Sequence, residues 1–298
     1  MTLRVATGRR LRGTAGQRPE SPASAPMPRR LRIGILVEQR YLAQAQPVGM
    51  SLALKAQGHA VTFIDARAYE VGGCLELEAC DLIVARGRSW DVLGLLAWAE
   101  RCGKPVINLR SSIAAVHNKA EMAIVLVEGQ VPTPRSFVGS LAELANRVPE
   151  TCYPLILKPI FGDNGRGLRV VNAGSELRRL DWPEETALAQ QYFPSDGYDL
   201  KLYGIGDEIW AVRKRSPYPA GPDRGATTAE LLPLSAELEK LARRCGRLFG
   251  LHLYGVDCIQ TGGGPVVIEV NEFPNYTGVP GADQALADYA IAYAKGTS

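Results

Sequence analysis

Two acidic side chains and one amide stand in a pair of β-rich segments near the carboxyl end of the chain. Asp257 lies in residues 255–259, and Glu269 and Asn271 lie in residues 266–271. Side chains two apart on a strand share a face, and a glycine-rich hairpin turn between the segments would bring Asp257 beside the other two. Carboxylate and amide oxygens suit Mg²⁺, and Mn²⁺ is left open as a substitute. The residues therefore predict a metal site; the alternative is a hairpin with a solvated polar face.

Two lysines precede this metal site in the sequence. Lys119 begins a predicted helix (118–128), and Lys158 ends an apolar strand (154–158). Burying an unpaired ammonium group is costly, so Lys158 must reach water or an anion. The segment 159–167 that follows is rich in glycine and predicts a flap whose backbone N–H groups can wrap an anion. Either lysine alone is more typical of a solvated surface. Together with the flap and the metal site they predict phosphate ligands.

Two further segments predict a hairpin, residues 198–203 and 208–215, around a turn at 204–207. Asp199 and Lys201 share one face of the first strand, and Arg213 and Arg215 share one face of the second. A salt-bridged outer face is the alternative interpretation of this pattern.

Several other chemistries are disfavoured. No GxGxxG follows the first strand, and the flap does not match GxxxxGK[ST], which argues against dinucleotide-binding and Walker-type proteins. Six cysteines form no CxxC pair and are expected to be reduced, while three scattered histidines form no zinc cluster with them.

The charge is concentrated in an amino-terminal tail. Residues 1–30 hold seven arginines and one glutamate, which leaves a net charge of −3 for residues 31–298 out of the total of +3. The tail lacks periodicity and an apolar signal core, so we predict a disordered extension. The rest of the chain predicts a cytoplasmic protein that binds neither nucleic acid nor membrane.

The order of elements predicts an α/β protein with three folded parts. Strands at 31–37, 60–65, 81–86 and 105–108 alternate with helices, which indicates a small parallel domain. We place it at residues 31–115, followed by a central lobe with the flap at 116–188 and a carboxyl-terminal lobe with the metal site at 189–298.

Taken in order, these segments resemble the ATP-grasp superfamily, and within it the RimK-like carboxylate–amine ligases. The likeness runs from about residue 82 to residue 277, and the ordered set is specific where no single piece is. The segments that carry it are Asn118-Lys119, Val131-Pro132-Thr133-Pro134, Lys158 with its flap, Gln190-Gln191-Tyr192-Phe193, Asp199-Leu200-Lys201, Arg215, Gly255-Val256-Asp257 and Glu269-Val270-Asn271.

The resemblance implies an ATP-grasp fold with an amino-terminal Rossmann-like pre-ATP-grasp domain. It also implies a role for each matched residue. Arg215 and Lys158 would be catalytic, with Arg215 near the γ-phosphate and the acyl phosphate, and Asp257, Glu269 and Asn271 would hold magnesium. The residues that would bind ATP are Lys119, Lys158, Gly162, Asn164, Gly165, Gly167, Gln190, Gln191, Tyr192, Phe193, Asp199 and Lys201.

The sequence departs from the family pattern at several points. Asn118, Gln191 and Lys201 replace an acid, a glutamate and an arginine, respectively. An asparagine-rich loop expected after the hairpin arginine is absent, and residues 216–226 stand in its place. Because that loop usually faces the substrate, its chemistry here could differ. The turn at 274–278 is a second candidate for a substrate-facing segment.

The function implied is ATP- and Mg²⁺-dependent formation of an amide through an acyl phosphate. The partners would be a small-molecule or peptide carboxylate and an amine, and a homo-oligomer is left open. Two alternatives stand beside the ligase: a kinase of the same fold that phosphorylates a hydroxyl group, and a non-catalytic ATP-binding module.

Overall fold

The computed structural model describes residue 1 and residues 29–67, 69–71, 74–162, 165–194, 197–215 and 229–297. Nearly all of the predicted basic tail, the atypical loop at 216–226 and the candidate flap residue Asn164 lie outside these ranges. Within them, no helix has the length and apolar character that a membrane span requires.

The amino-terminal part is built on a parallel sheet with the strand order β2-β1-β3-β4. Its central strands are buried along almost their whole length, as parallel strands covered on both faces must be. The alternation seen in the sequence predicted this arrangement. Helix α4 was not predicted, because its short stretch runs directly into the cap of the next helix. The elements are β1 (Arg32–Val37), α1 (Ala45–Ala56), β2 (Ala60–Asp65), α2 (Leu75–Glu78), β3 (Leu82–Arg86), α3 (Trp90–Arg101), β4 (Val106–Ile107) and α4 (Arg110–His117).

The central part is an antiparallel sheet with the order β5-β8-β6-β7, entered through helix α5. Strand β8 ends at Gln191, so Tyr192 and Phe193 of the segment 190–193 follow it, and strand β5 was not predicted. The sheet packs on α6 and α7 around Leu144, Leu155 and Leu157. The elements are α5 (Lys119–Glu128), β5 (Ser136–Gly139), α6 (Leu141–Arg147), β6 (Leu155–Pro159), β7 (Arg169–Val171), α7 (Gly174–Leu177) and β8 (Ala187–Gln191).

The carboxyl-terminal part is a second antiparallel sheet with the order β11-β10-β9-β12-β13. Its two hairpins, β9–β10 and β12–β13, are those that the sequence predicts, although both turns are shorter than expected. The elements are β9 (Tyr198–Ile205), β10 (Glu208–Arg215), β11 (Ala229–Leu232), α8 (Ala236–Phe249), β12 (Leu253–Thr261), β13 (Gly264–Glu272) and α9 (Ala282–Lys295).

The two faces of this last sheet bury different partners. One face, which includes Leu202 and Val256, packs on α8 and α5. The other face carries Tyr203 and Val212 at one end, where it packs with α9 and the amino-terminal sheet. The remaining end of that second face carries the charged residues of the candidate site. One face is therefore wholly structural, whereas the other is divided between core and site.

Candidate active site

A row of charged residues crosses one face of the carboxyl-terminal sheet. Asp257 on β12 lies directly opposite Glu269 on β13 and, on its other side, opposite Lys201 on β9. Residues directly opposed in an antiparallel pair project from the same face. Asn271 opposes Gly255, two positions along, and therefore shares that face. The sheet thus brings together the three predicted metal ligands.

Each of the two carboxylates has a lysine beside it. Lys201 Nζ lies 2.7 Å from Asp257 Oδ2, and Lys119 Nζ lies 3.1 Å from Glu269 Oε1. Burial acts to lower the pKa of Lys201, but the adjacent Asp257 outweighs burial and holds that pKa above its usual range. Burial likewise acts to raise the pKa of Glu269, and Lys119 and Lys158 more than offset it, so the pKa is lowered. Glu269 is consequently ionised near neutral pH.

Lys119 is positioned by the start of helix α5. The side chain of Asn118 caps that helix by accepting hydrogen bonds from the N–H groups of Ala120 and Glu121. Asn118 therefore does the local structural work of the acid that the family pattern has at this position. Lys119 Nζ also donates to the carbonyl oxygen of Gly162 at 2.6 Å. Lys119 therefore links the base of the flap to Glu269 on strand β13.

Lys158 reaches the same place from strand β6. Its side chain is 7% exposed, and Nζ donates a long hydrogen bond of 3.4 Å to the carbonyl oxygen of Ile268. Burial lowers the pKa of Lys158 to about 8, with Lys119 adding to the effect and Glu269 opposing it. Lys119, Lys158 and Glu269 therefore meet at one point although they come from three separate elements, as the sequence predicts.

The flap contains the glycines that its tight path requires. Gly165 and Gly167 have φ values of 68° and 76°, in the left-handed region that favours glycine. A Cβ atom on Gly167 would also lie 2.9 Å from Pro159. Next to Gly162, the Phe161 ring contacts the His117 ring at a centroid distance of 5.0 Å and the Trp90 ring at 6.5 Å. The base of the flap thus rests against the amino-terminal part of the protein.

Residues 190–193, which the family resemblance implies hold the adenine of ATP, connect the central sheet to the carboxyl-terminal sheet. Gln190 is buried, and its Nε2 donates to Ser136 Oγ at 3.0 Å, while its Oε1 has no hydrogen-bond partner within the described residues. The backbone N–H groups of Gln191 and Tyr192 already donate to the carbonyl oxygens of Arg135 and Pro154. Those two N–H groups are therefore engaged within the lobe. Phe193 follows outside the strand.

The hairpin register places Arg215, the predicted catalytic arginine, on the opposite face of the sheet from Asp199 and Lys201. Lys201 pairs with Val212, and Asp199 pairs with Lys214, so Lys214 shares the face of the site. Arg215 pairs with Tyr198, and Arg213 pairs with Leu200 on the opposite face. The structure thus brings Lys214 to the site's face in place of Arg215. A turn of two residues and a turn of four residues both place Lys214 on the same face as Asp199 and Lys201. The predicted hairpin was therefore sufficient to identify the face on which Lys214 lies.

A second charged cluster joins the amino-terminal sheet to the end of strand β13, and the sequence prediction missed it. Arg88 lies 3.7 Å from Glu272, and both side chains are buried. Arg86 donates to Asn275 Oδ1 at 3.1 Å, and its guanidinium group lies 5.4 Å from the Phe273 ring centroid. Two arginines flanking a glycine at the end of a buried strand were the available signal.

The donor set fits a magnesium ion in type and placement. Asp257 and Glu269 are opposed across a strand pair and both side chains are partly accessible, at 17% and 25%. Two carboxylates and an amide offer only oxygen atoms, which is the preference of hard divalent cations. Among the described residues no group of three or more His, Cys, Asp or Glu side chains could hold a metal ion, and this trio includes only two acids.

Comparison with known proteins decides the family. Residues 116–291 match the model of the RimK-like ATP-grasp domain. A protein named "Probable alpha-L-glutamate ligase 2" from Shewanella baltica is 30% identical over 229 residues, which make up 71% of this chain and 74% of that protein. The chain belongs to the RimK-like ATP-grasp family. Membership confirms the predicted resemblance and an ATP-dependent ligase of carboxylates and amines.

Solved structures agree with the ATP-grasp fold. A RimK domain ATP-grasp protein from Sphaerobacter thermophilus DSM 20745 superposes with a TM-score of 0.66 at 21% identity, covering 87% of this chain and 99% of its own. The ATP-grasp ligase PsnB, complexed with a minimal precursor, Mg and ADP, superposes with a TM-score of 0.67 at 18% identity, covering 88% and 97%. The ATP-grasp family uses ATP and magnesium.

Proposed function

We propose that this RimK-like ligase activates a carboxylate with ATP to form an acyl phosphate, and that an amine then displaces the phosphate to form an amide. We further propose that an amino acid or a peptide is among its substrates. The substrates of its relatives support this choice, since one is named for α-L-glutamate and PsnB was crystallised with a precursor. Six free cysteines and the absence of a membrane-spanning helix in the described residues support a cytoplasmic setting.

One observation carries the proposal: Lys119 and Lys158 converge on Glu269, which faces Asp257. Lysines neutralise the phosphate oxygens of a triphosphate, and carboxylates neutralise the divalent cation that accompanies it. The ion pair between Lys119 and Glu269 compensates both charges. A bound nucleotide and cation would exchange that pair for lysine–phosphate and carboxylate–metal contacts.

The transfer steps need electrostatic help and no protein nucleophile. An oxygen of the substrate carboxylate bonds to the γ-phosphorus as the bond to the ADP oxygen breaks. The amine nitrogen then bonds to the acyl carbon, phosphate leaves, and the amine loses a proton to solvent. Lys158 and Lys119 are placed to offset the negative charge that builds on the phosphate oxygens.

Magnesium has a defined place in this scheme. Asp257, Glu269 and Asn271 would hold it, and it would supply positive charge that offsets the negative charge of the phosphate groups. Mn²⁺ suits the same oxygen donors. The flap glycines and Phe161 would cover the phosphates, and the stretch 190–193 would hold the adenine, with Asp199 and Lys201 beside the nucleotide.

The test is ADP release by the full chain with MgATP and a panel of amino acids and short peptides, offered singly and in pairs. We expect ADP and an amide product only when both an acid and an amine are present. ADP with a phosphorylated alcohol would instead identify a kinase, and binding of ATP without turnover under any pair would identify a binding module.

A matched pair of variants assigns the activity to the site. Glu269→Gln removes one metal-binding carboxylate at constant size, and we expect ADP release to fall by at least ~100-fold. Lys240→Met changes an exposed residue on α8 and should leave the rate unchanged. A Glu269→Gln protein with the wild-type rate would refute the metal assignment.

A further inference from the structure

We propose that Lys214, on the β9–β10 hairpin, is the positively charged residue that contacts the transferred phosphate. The family resemblance implies this role for Arg215. The assignment rests on the ligase function proposed above and names a further residue in its site. The ligand it would take is a phosphate oxyanion, either the γ-phosphate of the triphosphate or the acyl phosphate formed from it.

The strand register provides the first part of the case. Lys214 on β10 pairs with Asp199 on β9, two positions from the pair formed by Val212 and Lys201. Lys201 in turn opposes Asp257. Opposed residues share a face at every step, so Lys214 projects from the face that carries the metal-binding trio.

The lack of a partner for Lys214 provides the second part. Lys201 and Lys119 are each held by a carboxylate within about hydrogen-bonding distance, at 2.7 and 3.1 Å. The ammonium group of Lys214 has no hydrogen bond or ion pair with the described part of the chain, and the residue is only partly exposed. Burial lowers the pKa of Lys214, and the nearby Lys201 lowers it further. Asp257 and Asp199 act in the opposite direction. A partly desolvated cation beside a phosphate site gains from binding an anion.

The neighbouring arginines have a different environment. The guanidinium group of Arg213 lies 4.0 Å from the centroid of the Tyr198 ring, and its backbone pairs with Leu200, whose side chain belongs to the core beneath α8. Arg215 pairs with Tyr198 and is exposed. Both arginines project from the face that the metal-binding trio does not use. For either arginine to reach the site, the register of β10 would have to shift by one residue, which would move every side chain of that strand to the other face.

Lys158 and Lys214 are therefore the two lysines of the site that lack a carboxylate ion pair within the described residues. The charge of Asp257 acts on both of them. This arrangement places one uncommitted cation on each side of the metal-binding carboxylates. A phosphate that moves from ADP to the substrate carboxylate would remain between two positive charges throughout the transfer.

The test compares four full-length variants in the ADP-release assay: Lys214→Met, Lys214→Arg, Arg213→Met as the control on the opposite face, and Arg215→Met as the competing assignment. We expect Lys214→Met to lower kcat by at least ~10-fold with a smaller change in the KM for ATP. Lys214→Arg should recover part of the loss. Unfolding midpoints of all four proteins should stay near that of the wild type.

Two results would overturn the assignment: a Lys214→Met rate within twofold of wild type, or a larger loss in Arg215→Met than in Lys214→Met. If the wild-type chain turns over no acid and amine pair, the ligase function fails, and binding of Mg²⁺ with ATP and with AMP by calorimetry decides the role of Lys214. We then expect Lys214→Met to weaken ATP binding at least fivefold and to leave AMP binding unchanged. Equal affinity of variant and wild type for ATP would reject the assignment.

Discussion

At the scale of single residues, the site combines buried and partly buried lysines with partly accessible carboxylates, and their charges compensate one another. Lys119 with Glu269 and Lys201 with Asp257 form two ion pairs, whereas Lys158 is buried with only a long hydrogen bond to a carbonyl oxygen. A charge held in this way costs folding free energy, because desolvation favours the neutral amine. That cost is the reason Lys158 is suited to bind a phosphate.

The cost can be measured as a pH dependence of stability. The pKa of Lys158 is about 8 in the folded protein against an ordinary value of 10.5, so the unfolded chain binds this proton more tightly. The buried charge therefore lowers the free energy of unfolding by its full amount below pH 8. The free energy of unfolding rises again as the pH increases from about 8 to 10.5. We expect Lys158→Met to raise the free energy of unfolding by about 3 kcal/mol at pH 7.

Urea unfolding of wild type and Lys158→Met across this pH range checks the prediction. The difference between the two proteins should shrink towards zero above pH 10.5, while the exposed-site control Lys240→Met should show no such trend. The same Lys158→Met protein should bind MgATP far more weakly. A stability difference that grows with pH would contradict the sign of the effect.

At the scale of elements, the base of the flap meets helices α4 and α3 through aromatic rings. Phe161 is half-exposed and touches the rings of His117 and Trp90. Burial lowers the pKa of His117 to about 4, with Arg88 and Lys119 adding to the effect, so the imidazole is neutral at physiological pH. The contact is thus between uncharged rings and should hold the flap base equally well from pH 6 to pH 8.

We expect Phe161→Ala to loosen the flap without dismantling the site. An aromatic pair contributes about 0.5–1.5 kcal/mol beyond its buried area, so flap closure should weaken several-fold. The expected result is a higher KM for ATP and more ADP released per amide formed, because water reaches the acyl phosphate. Val138→Ala, at an exposed position on β5, serves as the control. An unchanged ratio of ADP to amide would show that Phe161 does not help to exclude water.

Elements were the part of the molecule that the sequence predicted best. The strand pair β12–β13 follows from its β-branched residues, and helices α5 and α6 begin at their capping residues Asn118 and Ser140. The face of β10 that carries the site could also have been predicted from the sequence. A turn with an even number of residues pairs the odd-numbered residues of β9 with the even-numbered residues of β10. The contacts of Arg88 with Glu272 and of Lys119 with Gly162 could not have been predicted, because each joins elements that are far apart in the chain.

At the scale of the whole molecule, the amino-terminal sheet is linked directly to strand β13, which carries two of the predicted metal ligands. Arg88 and Glu272 form a buried ion pair between them, and burial raises the pKa of Glu272 while Arg88 opposes the rise. Because Glu272 follows Asn271 immediately, any shift of the amino-terminal part would be passed to a predicted metal ligand. We infer that this contact sets the position of that part relative to the nucleotide site.

Removing one side of this pair should be more damaging than removing both. Arg88→Met leaves a buried carboxylate unpaired, and we expect it to lower the free energy of unfolding by about 3 kcal/mol or more. The double variant Arg88→Met with Glu272→Gln should recover a good part of that loss. A double-mutant cycle from urea unfolding measures the coupling, and additive effects of the two changes would show that the pair does not act as a unit.

The central claim is that a substrate carboxylate attacks the γ-phosphate of ATP between the two lysines and the metal-binding carboxylates. It is tested most directly by running the reaction with a substrate acid labelled with oxygen-18 in its carboxylate and analysing the released phosphate by mass spectrometry. An acyl-phosphate route transfers one labelled oxygen to phosphate for each amide formed. Amide formation that leaves the phosphate unlabelled would contradict the mechanism.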